Sequence, residues 1–309
     1  MIPHKNIARD MGRILFWYPL RWIVQASPNR LIYFIAKQLG GVDFFLSKSE
    51  RIDKMVGNIS SALDVSEREA RTIVRQNLTM NICNNLELMT YPSITQDKID
   101  DIAAFENRDL LDRELEKGKG VVLLTAHLGT KQLLQIILGV CGYPVNQIHY
   151  HMGREELSFI QKNVAQRQRK KIESKIPIRF IPAKSFLRPV IQCLRDNQIL
   201  LMAGDGIGLK DHMDNSYLPF NIFGKPMRFP VGPASVALKT GASLLPAFAV
   251  RQKKGHKIIF EPPLTVTKDI NKVTAAFVGR LEEYIRQYPG QWEYWEEFEK
   301  GFLLEDDIS

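Results

Sequence analysis

Cysteine is scarce in this sequence: three cysteines occur among 309 residues, and they lie far apart. Cys83, Cys141 and Cys193 have apolar neighbours along the chain, which favours buried free thiols in a reducing compartment over a disulfide framework. Their spacing matches no cysteine motif that binds a metal. The sequence therefore argues against a disulfide-rich secreted domain and against a zinc site.

Long apolar runs are also missing. A helix that spans a bilayer needs about 20 consecutive apolar residues, but the N-terminal run over residues 14–24 contains Pro19 and Arg21. This run is rich in aromatic residues and no small-residue cleavage site follows it, so we do not expect a cleaved signal peptide. Neither a transmembrane helix nor a secretory leader is predicted.

The N-terminal segment is instead typical of helices that lie in a membrane interface. Its aromatic residues stand beside arginines, and a second apolar segment follows over residues 31–39. The alternative interpretation is an aromatic helix that packs on the protein's own core. We predict interfacial, membrane-associating helices over residues 1–45 and a larger second domain over residues 46–309.

The net charge of +8, with an isoelectric point near 9.3, suggests an anionic partner. Nucleic acid, a membrane surface or a phosphorylated carrier group would each fit. Basic side chains cluster between Lys162 and Lys171, and the simplest interpretation of such a cluster is a solvated helix face. No recognisable nucleic-acid-binding module accompanies the charge, so nucleic acid is not expected as a partner.

The pattern of the second domain predicts its fold class. Four apolar residues, Val121 to Leu124, follow a glycine-containing turn, as in a strand that is buried on both faces. From there to Val250, strand-like and helical patterns alternate, which predicts βαβ units. Upstream, Ser66 and Glu69 form a capping box that predicts the start of a long helix. The expected fold class is α/β, with a mixed, largely parallel sheet flanked by helices.

His127 follows the predicted central strand, at a sharp turn that contains Gly129. In open α/β sheets, ligands bind beyond the carboxyl ends of the strands, and histidine is suited to proton transfer near neutral pH. A general base is therefore one interpretation, and a histidine satisfied in the core is the other. Backbone N–H groups of this turn and of the first helical turn after it, which contains Gln132, would also be placed to bind an oxyanion.

Motifs of several other enzyme classes are absent from the sequence. It contains no Gly-x-Ser-x-Gly elbow of the kind that carries the nucleophile in α/β-hydrolases. The glycine-containing stretch over residues 204–210 lacks the spacing of a Walker motif and of a dinucleotide fingerprint. These interpretations are therefore set aside.

Residues 127–132, which read HLGTKQ, resemble the motif of a histidine, four residues and an acid in glycerolipid-type acyltransferases, particularly the late acyltransferases of lipid A biosynthesis. Further blocks follow in that family's order. They include Asp205 after a predicted strand, the Pro-Phe-containing stretch over residues 218–226 and the Tyr-Pro-Gly-Gln-Trp sequence over residues 288–292. The resemblance covers most of the chain and implies a glycerolipid acyltransferase-like fold for residues 46–309.

The resemblance also implies an activity. Such a protein is an O-acyltransferase that moves a fatty acyl group from acyl carrier protein or acyl-CoA to a hydroxyl of a membrane glycolipid or lipid A-like acceptor. In the implied mechanism His127 removes the hydroxyl proton, and no metal or redox cofactor is required. The enzyme would work at the cytoplasmic face of the bacterial inner membrane, as a peripheral or monotopic protein on an anionic surface.

Further residues are expected at the substrate. The candidates are Thr130, Arg154, Asp205, Phe220, Phe223, Lys225, Arg228 and Arg251. The stretch over residues 220–229 is interpreted as a wall for the acyl chain with a cation near a phosphate, or as a loop whose aromatic side chains plug the core. Asp205 could orient an arginine or the substrate, or cap a loop, whereas Arg251 could pair with a carboxylate or a phosphate.

Gln132 departs from the family pattern, which has Asp or Glu at this position. A glutamine oxygen can accept a hydrogen bond from the imidazole, but it cannot stabilise the imidazolium by charge. Three interpretations follow: an engineered inactive variant, a natural variant with another acid nearby, and a non-catalytic lipid-binding pseudoenzyme. We expect the first, because the rest of the motif framework is intact.

Overall fold

The computed structural model describes residues 7–130, 132–149, 158–182, 187–205 and 216–298. The strands are β1 (Ala103–Glu106), β2 (Val121–Thr125), β3 (Val145–His149), β4 (Arg179–Pro182), β5 (Ile199–Ala203), β6 (Tyr217–Ile222), β7 (Lys225–Pro230), β8 (Ser243–Arg251) and β9 (His256–Phe260). The helices are α1 (Ile7–Leu15), α2 (Arg21–Ala26), α3 (Asn29–Leu46), α4 (Ser49–Leu63), α5 (Glu67–Glu87), α6 (Ile99–Ile102), α7 (Arg108–Glu116), α8 (Leu133–Val140), α9 (Gln166–Glu173), α10 (Leu187–Arg195), α11 (Gly232–Thr240) and α12 (Ile270–Gln287).

The main sheet has seven strands within the described residues, in the order β1-β9-β8-β2-β5-β3-β4. Neighbouring strands run parallel except for β8 and β9, which are antiparallel. The expected α/β class with a mixed, largely parallel sheet is therefore confirmed. Strand β2 lies in the middle of the sheet, so the chain that leaves it emerges at the centre of the sheet's carboxyl edge.

The apolar sequence of β2 is explained by burial on both faces. Side chains alternate along a strand, so Val122 and Leu124 join one core layer, whereas Val121 and Leu123 join the other. The first layer contains residues of α4, α12 and the amino-terminal part of α5, and the second contains residues of α8 and of the N-terminal helices. Helices therefore cover both faces of the sheet.

Helix α5 begins as its sequence predicts. The Ser66 hydroxyl accepts a hydrogen bond from the backbone N–H of Glu69, and the Glu69 carboxylate accepts one from the backbone N–H of Ser66. This capping box satisfies donors that have no partner within the helix. The helix then continues to Glu87. Its last turns lie beside the chain that leaves β2: the side-chain amide of Asn84 donates a hydrogen bond to the carbonyl of Gly129 at 2.9 Å.

The N-terminal helices have two different sides. Trp17 and Val24 are buried in the core layer that also contains the end of α5, whereas Trp22 is 59% exposed and Phe45 is 88% exposed. One face of this segment thus packs on the protein, as the core interpretation expects, and the other presents apolar side chains to the outside. Pro19 lies in a π-helical turn over residues 16–20 that joins α1 to α2. None of the helices among the described residues combines the length and the hydropathy needed to cross a bilayer.

Strands β6 and β7 form an antiparallel hairpin apart from the main sheet. Its turn is made by Phe223 and Gly224, which both have positive φ angles. The sequence had suggested a wall for the acyl chain or a structured loop, and regular strand pairing over residues 217–230 was not expected. Pro219, Pro226 and Pro230 obscured the pattern because proline is depleted in strands, although it is tolerated at sheet edges.

Candidate active site

Strand register brings His127 and Asp205 together. Strands β2 and β5 are parallel neighbours, and Thr125 lies opposite Ala203. His127 and Asp205 each follow that aligned pair by two residues, so both side chains leave the sheet at the same point of its carboxyl edge. This is the edge at which open α/β sheets place their ligands.

Asp205 binds both the backbone and the ring of His127. Its carboxylate oxygens accept the backbone N–H of His127 at 2.9 and 2.8 Å, and Oδ1 lies 2.9 Å from the ring Nδ1. Oδ2 also accepts the indole N–H of Trp292 at 3.3 Å. The Asp205 side chain is fully buried, whereas that of His127 is 26% exposed. A carboxylate is thus fixed on the inner side of an imidazole that reaches the surface.

This arrangement determines which ring nitrogen is accessible. Because the carboxylate faces Nδ1, the neutral imidazole donates its Nδ1–H to Asp205 and leaves Nε2 as a hydrogen-bond acceptor. The ring of Tyr294 lies beside the imidazole, with 5.0 Å between the ring centroids. The pair can therefore accept a proton at Nε2 and stabilise the resulting imidazolium with the buried negative charge.

The backbone of residues 127–130, here called the histidine turn, is bonded on several sides. The carbonyl of His127 accepts the N–H of Glu293 at 3.0 Å. The N–H of Gly129 donates to Gln291 at 2.8 Å, and the N–H of Thr130 donates to Ala249 at 2.9 Å. The backbone N–H groups of His127, Gly129 and Thr130 thus already have acceptors within the protein, so these three are not free to bind an oxyanion.

Gly129 is required at its position for two reasons. Its φ angle is +65°, in the left-handed region that favours glycine. A Cβ atom would also lie 2.1 Å from the carbonyl oxygen of Ala249, far inside contact distance. The histidine turn can approach β8 this closely only because residue 129 has no side chain.

Gln132 lies directly before α8, with helical backbone angles. The sequence required His127 to lie on the turn and Gln132 at the start of the helix if the two side chains were to meet, and the chain has that placement. The ring Nδ1 nevertheless has an acid partner elsewhere, Asp205.

Arg251 forms an ion pair with Glu87. Its Nη1 and Nη2 atoms each lie 2.5 Å from a Glu87 carboxylate oxygen, and both side chains are largely buried. Nη2 also lies 3.4 Å from the hydroxyl of the fully buried Thr130. Of the two predicted partners of Arg251, a carboxylate and a phosphate, the structure shows a carboxylate. Thr130 also bonds through its backbone to Ala249 of β8 and to Leu133 of α8.

Burial alone would raise the pKa of Glu87. The neighbouring His256 and the charge and hydrogen bonds of Arg251 outweigh that effect and lower the pKa of Glu87 to about 2. Glu87 is therefore ionised and compensated inside the protein. Arg251 links it to Thr130 of the histidine turn. Sequence reasoning missed Glu87 because a glutamate near the end of a long helix is usually a solvated residue.

The hairpin residues lie around a cluster of aromatic side chains. Phe223 is buried, and its ring centroid lies 5.8 Å from those of Trp295 and Phe298. The ammonium group of Lys225 lies 5.5 Å from the centroid of the Phe298 ring. Phe220 and Arg228 are partly buried on the paired strands, where Phe220 packs on this core layer. The described contacts of Phe223 fit the interpretation that aromatic side chains plug the core.

Two further observations concern the predicted binding residues. Arg154 lies outside the described residues. Within the described parts of the chain, no group of three or more His, Cys, Asp and Glu side chains is arranged to hold a metal ion.

The sequence of this chain matches a family model and several known proteins. The sequence model of a family described as bacterial lipid A biosynthesis acyltransferase matches residues 3–297. The chain is also similar to phosphatidylinositol mannoside acyltransferases. The protein from Mycobacterium tuberculosis (strain ATCC 25618 / H37Rv) is 26% identical over 189 residues, which cover 60% of this chain and 56% of that protein. The protein from Mycolicibacterium smegmatis (strain ATCC 700084 / mc(2)155) is 26% identical over 200 residues, which cover 60% of each chain. The chain thus spans less than two thirds of the length of these relatives.

Proposed function

Because the chain belongs to the bacterial lipid A biosynthesis acyltransferase family, we propose that it transfers a fatty acyl group from acyl carrier protein or acyl-CoA to a hydroxyl of a membrane glycolipid. The observation that carries this proposal is the contact between His127 and the buried carboxylate of Asp205 at 2.9 Å. This pair supplies a base whose protonated form is stabilised, which is what direct acyl transfer to a hydroxyl requires.

The reaction proceeds in one transfer step with His127 as base. Nε2 takes the proton of the acceptor hydroxyl while the hydroxyl oxygen attacks the thioester carbonyl carbon. A carbon–oxygen bond forms, the carbon–sulfur bond breaks, and the proton passes from the imidazolium to the departing thiolate. The products are an ester and a free thiol, and Asp205 retains its charge throughout.

Gln132 is compatible with this mechanism. Asp205, which the resemblance assigns to the family pattern as well, is fully buried and bound to the ring, so His127 has a carboxylate beside it without one at position 132. We therefore favour an active enzyme with a natural glutamine at this position over an inactivated one. A lipid-binding protein without catalysis is the alternative, and it predicts binding without turnover.

The N-terminal helices support docking on a membrane. Their outward face carries large exposed apolar side chains, including Trp22, Ile23, Phe34 and Phe45. Phe159 is also exposed, beside the segment that holds the basic residues from Lys162 to Lys171. An apolar face with neighbouring positive charge fits an anionic bilayer. We place the enzyme at the cytoplasmic face of the bacterial inner membrane as a peripheral protein.

The test of the activity is acyl transfer from labelled acyl carrier protein and acyl-CoA to total bacterial lipid. We expect a labelled glycolipid product from the unmodified chain and none from a His127→Ala variant. Lipid binding without any product from either donor would support the non-catalytic alternative.

Docking is tested by sedimentation with anionic and neutral vesicles at low and high salt. We expect binding to anionic vesicles that weakens as salt screens the charges. The double variant Trp22→Ala/Phe45→Ala should bind less, whereas Leu238→Ala should bind normally, since Leu238 is an exposed apolar residue on α11. Equal binding by all three proteins would contradict the assignment of this face.

A further inference from the structure

The terminal Tyr-Pro-Gly-Gln-Trp sequence has no role in the proposed mechanism, yet it leads directly to the histidine turn. Residues 288–295, here called the C-terminal segment, lie beside that turn. The carbonyl of Gln291 accepts the N–H of Gly129 at 2.8 Å, and the N–H of Glu293 donates to the carbonyl of His127 at 3.0 Å. Leu128 and Trp292 form an antiparallel bridge between these two bonds. The segment therefore pairs with the histidine turn as a short added strand would.

Trp292 connects the C-terminal segment to Asp205 as well. Its indole N–H donates to Oδ2 of Asp205 at 3.3 Å, while Oδ1 of the same carboxylate faces Nδ1 of His127 at 2.9 Å. Trp292 is fully buried and packs edge to face against Trp295, with ring centroids 5.0 Å apart. An indole N–H can only donate. It therefore fixes the rotation of the carboxylate and favours the orientation that presents one oxygen to the histidine ring.

The C-terminal segment is itself held firmly. The side-chain amide of Asn77 on α5 donates to the carbonyl of Trp292 at 2.5 Å. The side chain of Gln291 bonds both backbone groups of Arg251, each at 2.8 Å, in the way a neighbouring strand would. Gly290 lies against α5 so closely that a Cβ atom would be 2.7 Å from Cβ of Gln76. The position of the segment is thus set by α5 and by the end of β8.

From these contacts we infer that two residues of the C-terminal segment, Trp292 and Glu293, position the catalytic pair. Trp292 acts through Asp205, and the backbone N–H of Glu293 acts through the carbonyl of His127. Neither group needs to touch the substrate, so both are positioning residues. The inference rests on the proposed function, because His127 and Asp205 are its proposed catalytic pair.

The first test compares two matched variants, Trp292→Phe and Trp295→Phe. Both tryptophans are fully buried in one aromatic cluster. Trp292→Phe removes the indole hydrogen bond to Asp205, and Trp295→Phe removes the indole hydrogen bond to the carbonyl of Pro289. We expect Trp292→Phe to lower kcat about tenfold with little change in KM, as for the loss of one hydrogen bond to a charged acceptor. Trp295→Phe should retain kcat. Equal loss in both variants, or none in Trp292→Phe, would overturn the inference.

A second pair of variants leaves the aromatic cluster intact. Glu293 is the first residue of a 3₁₀ turn, where proline is tolerated, and the preceding Trp292 has the extended backbone angles that a following proline requires. Glu293→Pro removes the N–H that donates to His127, whereas Glu293→Ala keeps it. We expect kcat to fall severalfold in the proline variant relative to the alanine variant. The same kcat in both would contradict a positioning role for this bond.

A spectroscopic measurement separates failure of the inference from failure of the proposed function. The ring ¹⁵N chemical shifts of His127 report which nitrogen carries the proton. We expect the Nδ1–H form to dominate in the unmodified protein and in Trp295→Phe, and the Nε2–H form to increase in Trp292→Phe. This comparison needs no substrate, so it decides the positioning role even if no acyl transfer is found. An unchanged spectrum in Trp292→Phe would contradict that role.

Discussion

His127 and His256 each face a carboxylate, and the two pairs differ in access. Nδ1 of His127 lies 2.9 Å from Asp205, and the side chain is 26% exposed. Nε2 of His256 lies 3.4 Å from Glu87, its Nδ1 lies 3.2 Å from the carbonyl of Ile102, and its side chain is only 8% exposed. Both ring nitrogens of His256 therefore face oxygen atoms of the protein, whereas the side chain of His127 is partly exposed.

The two acids differ as well. Glu87 is bound by both Nη atoms of Arg251, so a fixed positive charge already compensates it. Among the residues that the structure describes, the other donors to Asp205 are a backbone N–H and an indole N–H, and both are neutral. The negative charge of Asp205 is thus available to an imidazolium. A histidine beside a buried carboxylate is therefore not sufficient to make a general base. The carboxylate must not already be paired with another cation, and one ring nitrogen must remain accessible to the substrate.

The largest effect that tests this comparison is expected from matched histidine substitutions. His127→Ala should lower acyl transfer about 10⁴-fold, at the upper end of what a general base contributes. His256→Ala should lower stability through the cavity it leaves, while turnover changes little. Steady-state kinetics and urea unfolding of both variants provide the measurement. A comparable loss of turnover in His256→Ala would show that the buried pair takes part in the chemistry.

Removal of the charge on Asp205 should have the next largest effect. Asp205→Asn keeps the size of the side chain but cannot stabilise an imidazolium, so we expect turnover to fall about 10³-fold while KM stays close to normal. The unfolding midpoint of the variant serves as the control for correct folding. If a well-folded Asp205→Asn variant kept more than a tenth of the activity, Asp205 would not be the partner of the base.

Much of the fold could be predicted from the sequence, but the acid partner of His127 could not. The apolar run of β2, the capping box at Ser66 and the helix after the histidine turn follow from local periodicity and capping. The contact between His127 and Asp205 depends on strand order, since β5 pairs with β2 although β3 and β4 come between them in the chain. Local patterns contain no information on that order. Motif spacing therefore directed attention to Gln132.

The other differences have the same physical origin. The aromatic residues at the N-terminus divide between a packed face and an exposed face, and only the tertiary contacts decide which residue belongs to which. Glu87 and Arg251 are 164 positions apart, so their pairing is invisible in local sequence. Phe223 lies at positive φ in the turn of a hairpin whose strands contain prolines. Long-range contacts determine which of these residues are buried or paired, whereas sequence periodicity reports only on local structure.

The buried ion pair leads to a smaller, pH-dependent effect. Because the pKa of Glu87 is lowered from its ordinary value of 4.5 to about 2, ionised Glu87 stabilises the fold above about pH 4.5, and this contribution disappears as the pH falls towards 2. We expect Glu87→Gln to lower the free energy of unfolding at pH 7 by about 3 kcal/mol. The difference from the unmodified protein should shrink below pH 4.5 in urea unfolding.

The control for this prediction lies on the same helix. Glu67 pairs with Arg71 at the surface, where its side chain is 70% exposed. Glu67→Gln should change the free energy of unfolding by less than about 1 kcal/mol at any pH, because exposed ion pairs are screened by solvent. If the two variants were equally stable at pH 7, the Glu87–Arg251 pair would not be the compensated buried pair described above.

The smallest effect is expected at Gln132. Since Oδ1 of Asp205 already lies 2.9 Å from Nδ1 of His127, a carboxylate at position 132 has no corresponding place on that nitrogen. We expect Gln132→Glu to change kcat by about threefold or less, and Gln132→Met to show how much the neutral amide itself contributes. A tenfold or greater rise in Gln132→Glu alone would make position 132 the true site of the acid. His127 would then depend on two carboxylates. The difference from His256 would lie in the exposure of the ring and not in whether its one neighbouring acid is already paired with a cation.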